Sequence, residues 1–212
     1  MHKRFSKRKD VSFLFDLYSR KLTFTNFKNC LRPVYGLFNE ILAFCKEDKN
    51  IVDFGCGEGP LTFIIAKFKH PKMVFGYDIN PDYIQTAKQI NIFDNVSFVD
   101  DIENNFPKPD LVIIADVLHH ILPEPEKIKT LQFIFDLNPA EIIIKDLDPA
   151  NRISSMFNAF TDYLSTRSKV EYISVQKIKD SLPQNFVIDK VVYKKYFLWS
   201  NYIIHIKNNK YG

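Results

Sequence analysis

The chain has 212 residues, 46% hydrophobic and 25% charged, the composition of a single globular domain. A net charge of +4 is too small to point to nucleic acid by itself, and the longest apolar runs are strand-length, so no membrane span is expected. The three cysteines, Cys30, Cys45 and Cys56, are odd in number and lack metal-ligand spacing, which argues against a disulfide framework and for a reducing, cytoplasmic setting.

The first ten residues carry five basic side chains, Lys3, Arg4, Lys7, Arg8 and Lys9. The run Val11-Ser12-Phe13-Leu14-Phe15 then meets Asp16 and has neither a signal-peptide core nor a cleavage site. The basic end, with Lys207 and Lys210 at the other, reads as solvated termini; a phosphate-bearing carrier, a lipid surface or RNA is the sharper alternative. Phe13, Leu14, Leu17 and Tyr18 recur at helical spacing, and Leu37, Phe38, Ile41, Leu42 and Phe44 predict a second helix over about 35–45. Residues 1–48 are therefore read as a helical extension and 49–212 as the core domain.

The core opens with an apolar run ending in Asp53-Phe54, and the next five residues, Gly55-Cys56-Gly57-Glu58-Gly59, hold three of the chain's six glycines. With Pro60 and the apolar helix predicted over 60–69, this is a strand, a tight loop and a helix start. Glycine suits a loop that turns with positive φ or lies against a ligand without a Cβ in the way. A dinucleotide loop, G-x-G-x-x-G, would place its third glycine where Pro60 stands, and Asp53 would repel a pyrophosphate. A cationic ligand suits Asp53 better.

Met73 to Tyr77 is a short apolar run leading to Asp78, 23 positions after Gly55, and an acid there can accept hydrogen bonds from both hydroxyls of a ribose. Asn80-Pro81-Asp82 starts a helix over 81–91. A third strand over 95–102 ends in Asp100, Asp101 and Ile102. Asp110 to Ala115 is a buried strand that runs into Asp116, His119 and His120, followed by a helix over 125–137. Ala140 to Asp146 is a fifth strand. Helices over 151–166 and 174–182 follow, and 186–193 and 196–206 pair antiparallel across Lys194-Lys195. Alternating strands and helices imply a parallel sheet with right-handed crossovers.

The pattern D-x-G-x-G-x-G at 53–59, with the later acids in order, resembles class I methyltransferases that use S-adenosylmethionine (SAM). The resemblance covers roughly residues 45–148. It implies an α/β fold: a doubly wound, mostly parallel seven-stranded sheet with an antiparallel C-terminal edge pair, behind the N-terminal helical extension. It implies a SAM site built from Asp53, Gly55, Cys56, Gly57, Gly59, Asp78, Ile79 and Asp116. Asp101 and Ile102 would meet the adenine, with Asp100 one residue away as the alternative. A His-His pair after the fourth strand is common in the family. His120 is the first candidate base, followed by His119, with Asp146 nearby in the fifth motif.

Asp116, Asp146 and Asp148 raise the question of a divalent ion, but Lys145 stands among them to neutralise them, and no metal is expected. Amino-methylating nucleic-acid enzymes carry Asn/Asp-Pro-Pro-aromatic after the fourth strand, where this chain has Ala115-Asp116-Val117-Leu118. The resemblance therefore implies methylation, at oxygen, of a small or carrier-bound apolar or aromatic acceptor. The aromatic stripe over 156–164 reads either as packing or as a pocket lining. An RNA methyltransferase and a catalytically silent SAM-binding scaffold stay open as alternatives.

Overall fold

A computed structural model describes residues 8–19, 29–33, 36–101, 107–149, 170–196 and 199–211. The chain forms two compact units that meet in sequence at Pro107 and Lys108. Among the described residues seven strands form one sheet, in the spatial order third, second, first, fourth, fifth, seventh and sixth in the chain.

In the first unit, helix α1 (Lys9–Tyr18) buries Val11, Leu14, Leu17 and Tyr18, which its period places on one face. Residues 29–33 form a further helical turn that the apolar spacing did not reveal. The predicted helix over 35–45 is shorter than expected, with α2 confined to Phe38–Leu42. Leu37 has φ 56, and a residue in that left-handed region cannot continue a helix from upstream.

Three parallel strands follow: β1 (Asn50–Phe54), β2 (Met73–Tyr77) and β3 (Val96–Val99). Helix α3 (Pro60–Lys69) joins β1 to β2 and buries every residue from Pro60 to Ala66. A helix so apolar on all sides needs cover on all sides. Phe63 accordingly packs against Tyr18, Phe93 and Phe98. Helix α4 (Pro81–Ile90) is capped by Asn80, whose side chain accepts from the Asp82 N–H at 3.0 Å. β3 stops at Val99, so Asp100 and Asp101 lie beyond the strand rather than within it, both exposed.

In the second unit, β4 (Leu111–Ala115) pairs parallel with β5 (Glu141–Leu147). Helix α5 (Glu124–Asp136) connects them. Helix α6 (Val175–Asp180) precedes β6 (Phe186–Tyr196) and β7 (Trp199–Asn208). β7 runs antiparallel to both β5 and β6. The turn between β6 and β7 is not at Lys194-Lys195 as expected. Those residues are strand residues that pair with Asn201 and Ser200, and the pairing continues to Tyr196 with Trp199. Two adjacent lysines read as a turn by polarity, but lysine is also an ordinary residue on an exposed edge strand. The predicted helix over 151–166, and with it the aromatic stripe, lies outside the described residues.

One glycine is required by packing rather than by its φ. Gly76 pairs with Phe98 across β2 and β3, and the Phe98 ring lies over it. A Cβ at 76 would sit 2.5 Å from Phe98 Cδ1 and 3.0 Å from Cys56 Sγ. Gly59 and Phe63 also lie against this ring, which restricts its retreat. Gly76→Ala is therefore expected to cost about 1–3 kcal/mol of stability, the usual penalty for overpacking. Urea unfolding of the two proteins checks it.

Candidate functional site

The glycine loop is shaped before any ligand reaches it. Gly55, Gly57 and Gly59 have φ of 75°, 58° and 86°. The Gly55 and Cys56 N–H groups both donate to the Tyr77 carbonyl, at 2.7 and 2.8 Å. This fastens the end of β1 to the end of β2. Gly57 N–H donates to Asp78 Oδ2 at 2.8 Å, and Asn80 N–H donates to Asp78 Oδ1 at 2.9 Å. One carboxylate thus spans the loop and the start of α4. A Cβ at Gly57 would meet nothing within 4 Å, so the loop backbone faces open space there.

Asp53, by contrast, lies behind the loop. It is 2% exposed, and its Oδ2 accepts from the Thr62 hydroxyl at 2.6 Å. Burial pushes its carboxyl up to about 6, against the Thr62 hydrogen bond, which pulls it down. A cation brought near would draw that proton off. Thr62 was not singled out in the sequence, since a Thr inside a helix gives no sign of which strand end it will meet. Cys56 is 3% exposed, and burial pushes its thiol well up, with the charges of Asp53 and Asp78 adding to the rise. It is an inert filler against Gly76. Ile79 is 83% exposed and Asp101 is exposed, while Ile102 lies outside the described residues.

The second unit gathers the other candidates at the ends of β4 and β5. Asp116 follows β4 with φ 61. A non-glycine residue held there stores strain of order 1–3 kcal/mol, which persists where surrounding bonds over-determine it. Lys145 supplies them: its buried ammonium donates to Asp116 Oδ1, and its carbonyl accepts from the Asp116 N–H at 2.9 Å. Lys145 is thus the partner of Asp116. Asp148 accepts from the Ser200 hydroxyl at 3.4 Å.

His119 and His120 end a single turn of 3-10 helix, Leu118–His120. His119 is 3% exposed, with Nδ1 2.5 Å from Oδ1 of the buried Asp146. Asp146 Oδ2 also accepts from the His119 N–H at 3.2 Å. An ionised carboxylate only accepts, so with Asp146 ionised Nδ1 carries the hydrogen of this bond. The exposed His120 places its ring 4.0 Å from that of His119.

The sequence pattern of a methyltransferase domain matches residues 45–196. The chain belongs to that methyltransferase family. Its fold is that of solved SAM-dependent methyltransferases. Trans-aconitate 2-methyltransferase of Mycobacterium ulcerans (strain Agy99) is 32% identical over 94 residues, 44% of this chain. The match spans 34% of that relative's length. Among solved structures, magnesium protoporphyrin IX methyltransferase from Synechocystis PCC 6803, with S-adenosylhomocysteine (SAH) bound, is 19% identical. It has a TM-score of 0.65, with 93% of this chain and 95% of that one covered. The methyltransferase in complex with the Trm112 activator of Haloferax volcanii is 14% identical. Its TM-score is 0.69, with 93% and 97% covered. These two share the fold with this methyltransferase. Among the described residues no helix is long and apolar enough to cross a membrane.

Asp53 generates a prediction whose sign follows from its raised carboxyl. Between its ordinary 3.8 and about 6, the folded protein holds a proton that the unfolded chain has released. Folding stability therefore falls as pH rises through that window, and is fully present only below it. Asp53→Asn removes the effect. The variant should gain on the ligand-free wild type between pH 4 and pH 7 by up to about 3 kcal/mol, at 1.36 kcal/mol per unit. Urea unfolding at both pH values checks this; a difference that stays constant with pH contradicts it.

Proposed function

We propose that this methyltransferase methylates an oxygen atom of a small or carrier-bound apolar or aromatic acceptor, in the reducing interior of a cell. The observation that carries the reading is the Asp146–His119–His120 arrangement. Bound SAM supplies a methyl group on a sulfonium, whose departure leaves a neutral thioether, so the leaving group needs no acid. What the chain must supply is position and, for a hydroxyl acceptor, a base. The exposed His120 ring is the base in this reading. The buried Asp146 orients His119, against which His120 lies, so that His120 is held rather than free to rotate.

The loop supports the cofactor half of the proposal. Asp78, already turned by two backbone N–H groups, accepts from the ribose. Gly57 leaves its side of the loop open to the ligand. Asp53 answers the cationic end through its proton equilibrium, without needing direct contact. Asp116 is held for the cofactor by Lys145, and Ile79 offers an exposed apolar surface. Asp101 remains the proposed adenine acid, with Ile102 beside it.

The acceptor class draws support from the similar proteins, since trans-aconitate and magnesium protoporphyrin IX are both small molecules. Cys30, Cys45 and Cys56 are all buried and unbridged, in keeping with a reducing compartment and a cytoplasmic location.

Labelled SAM incubated with fractionated metabolite extracts is expected to label a small, extractable product. Label only in RNA, or SAH binding with no turnover against any pool, contradicts the reading. On the acceptor so found, His120→Ala should lower kcat about 10²- to 10⁴-fold and leave SAH affinity unchanged. The wild-type rate should rise with pH through the histidine range. Retained activity with a flat profile contradicts the base role.

A further inference from the structure

We propose that the N-terminal helical segment is a working part of the cofactor site, with Tyr18 and Asn29 as positioning residues that hold Glu58, and through it the glycine loop. The proposal rests on the loop being where the cofactor binds.

Glu58 stands between Gly57 and Gly59, both at positive φ. It is the residue of the loop whose own neighbours restrain it least, since glycine gives up more freedom on ordering than any other residue. Two long-range bonds restrain it instead. The Tyr18 hydroxyl, at the end of α1, donates to the Glu58 carbonyl at 2.7 Å. The Asn29 amide, from the turn at 29–33, donates to Glu58 Oε2 at 2.6 Å. One helix holds the backbone of residue 58 and the other holds its side chain.

Both donors are fixed in their turn. Tyr18 is fully buried, and its ring meets Phe63 edge-on at 6.4 Å, in the helix that the loop leads into. Burial, with the nearby Glu58 charge, keeps the phenol protonated and therefore a donor. Asn29 is 7% exposed. The 29–33 turn is tied to the start of α1 by Arg8, whose guanidinium bonds both Asp10 and the Pro33 carbonyl.

On the far side of the same loop, Gly57 N–H is held by Asp78. The loop is therefore clamped from two directions, by an acid at the end of β2 and by the N-terminal helices. A clamped loop spares the ligand the entropy of ordering it. The coupling is reciprocal: if docked helices tighten cofactor binding, bound cofactor must tighten the docking.

The test uses the whole chain with SAH as ligand. Tyr18→Phe and Asn29→Ala should each weaken SAH about three- to tenfold, the worth of one net hydrogen bond, as read by calorimetry. Saturating SAH should slow amide hydrogen exchange across residues 11–18 of the wild type, and Tyr18→Phe should lessen that slowing. A merely structural role would lower the melting temperature without moving either quantity. Full SAH affinity in the double variant, or wild-type exchange at 11–18 indifferent to bound SAH, overturns the proposal. The exchange measurement needs no variant to fold. Wild-type protein that takes up no SAH at all overturns the underlying site reading as well, and is told apart by that alone.

Discussion

The carboxylate of Asp78 is the interaction on which the glycine loop of this methyltransferase depends. It gives one oxygen to the Gly57 N–H and the other to the Asn80 N–H. The glycine loop and the first turn of α4 are thereby set by one side chain at the end of β2. Bonds from ionised acceptors to backbone N–H groups are among the stronger hydrogen bonds in proteins. The Gly55 and Cys56 N–H groups, both on the Tyr77 carbonyl, repeat the tie in the main chain one residue earlier. A loop of three glycines would otherwise be the most expensive segment in the unit to order.

Packing enforces the same arrangement from beneath. Phe98 fills the space over Gly76 and against Gly59, so a side chain at either position would strike its ring. Asp53 is buried, and burial raises its carboxyl to about 6. A buried acid that costs stability at neutral pH is not explained by folding alone. It fits a site that receives a cation, where the charge disfavoured in the empty protein becomes favourable. The second unit shows a related compromise: Asp116 keeps a left-handed backbone because Lys145 bonds both its amide, through a carbonyl, and its carboxylate.

What was legible in the sequence was local. The glycine loop, Pro60, Asp78 and the Asn80 cap each depend on residue type at short spacing, so strand, loop, acid and helix could be read in order. A parallel sheet with an antiparallel closing pair followed from the apolar runs, and its seven strands followed from the resemblance to the family. Pairings across the fold were not legible. Nothing near His119 announces that Asp146, 27 positions on, will meet its ring in the interior. Tyr18 and Asn29 carried no mark of their bonds to Glu58, at separations of 40 and 29 residues. The break at Leu37 was hidden because leucine is a good helix former and nothing in its type suggests φ above zero. At Lys194-Lys195 the physical ambiguity was real, since charge suits both a turn and an exposed strand edge.

The central claim is that one carboxylate both shapes the loop and receives the cofactor, and calorimetric titration of SAH into Asp78→Ala tests it most directly. The account predicts a loss of about 1.5–3 kcal/mol of binding free energy relative to wild type, the cost of removing a charged hydrogen-bonding partner. The variant should still unfold cooperatively. SAH affinity equal to that of the wild type, in a variant that is folded, would contradict the account.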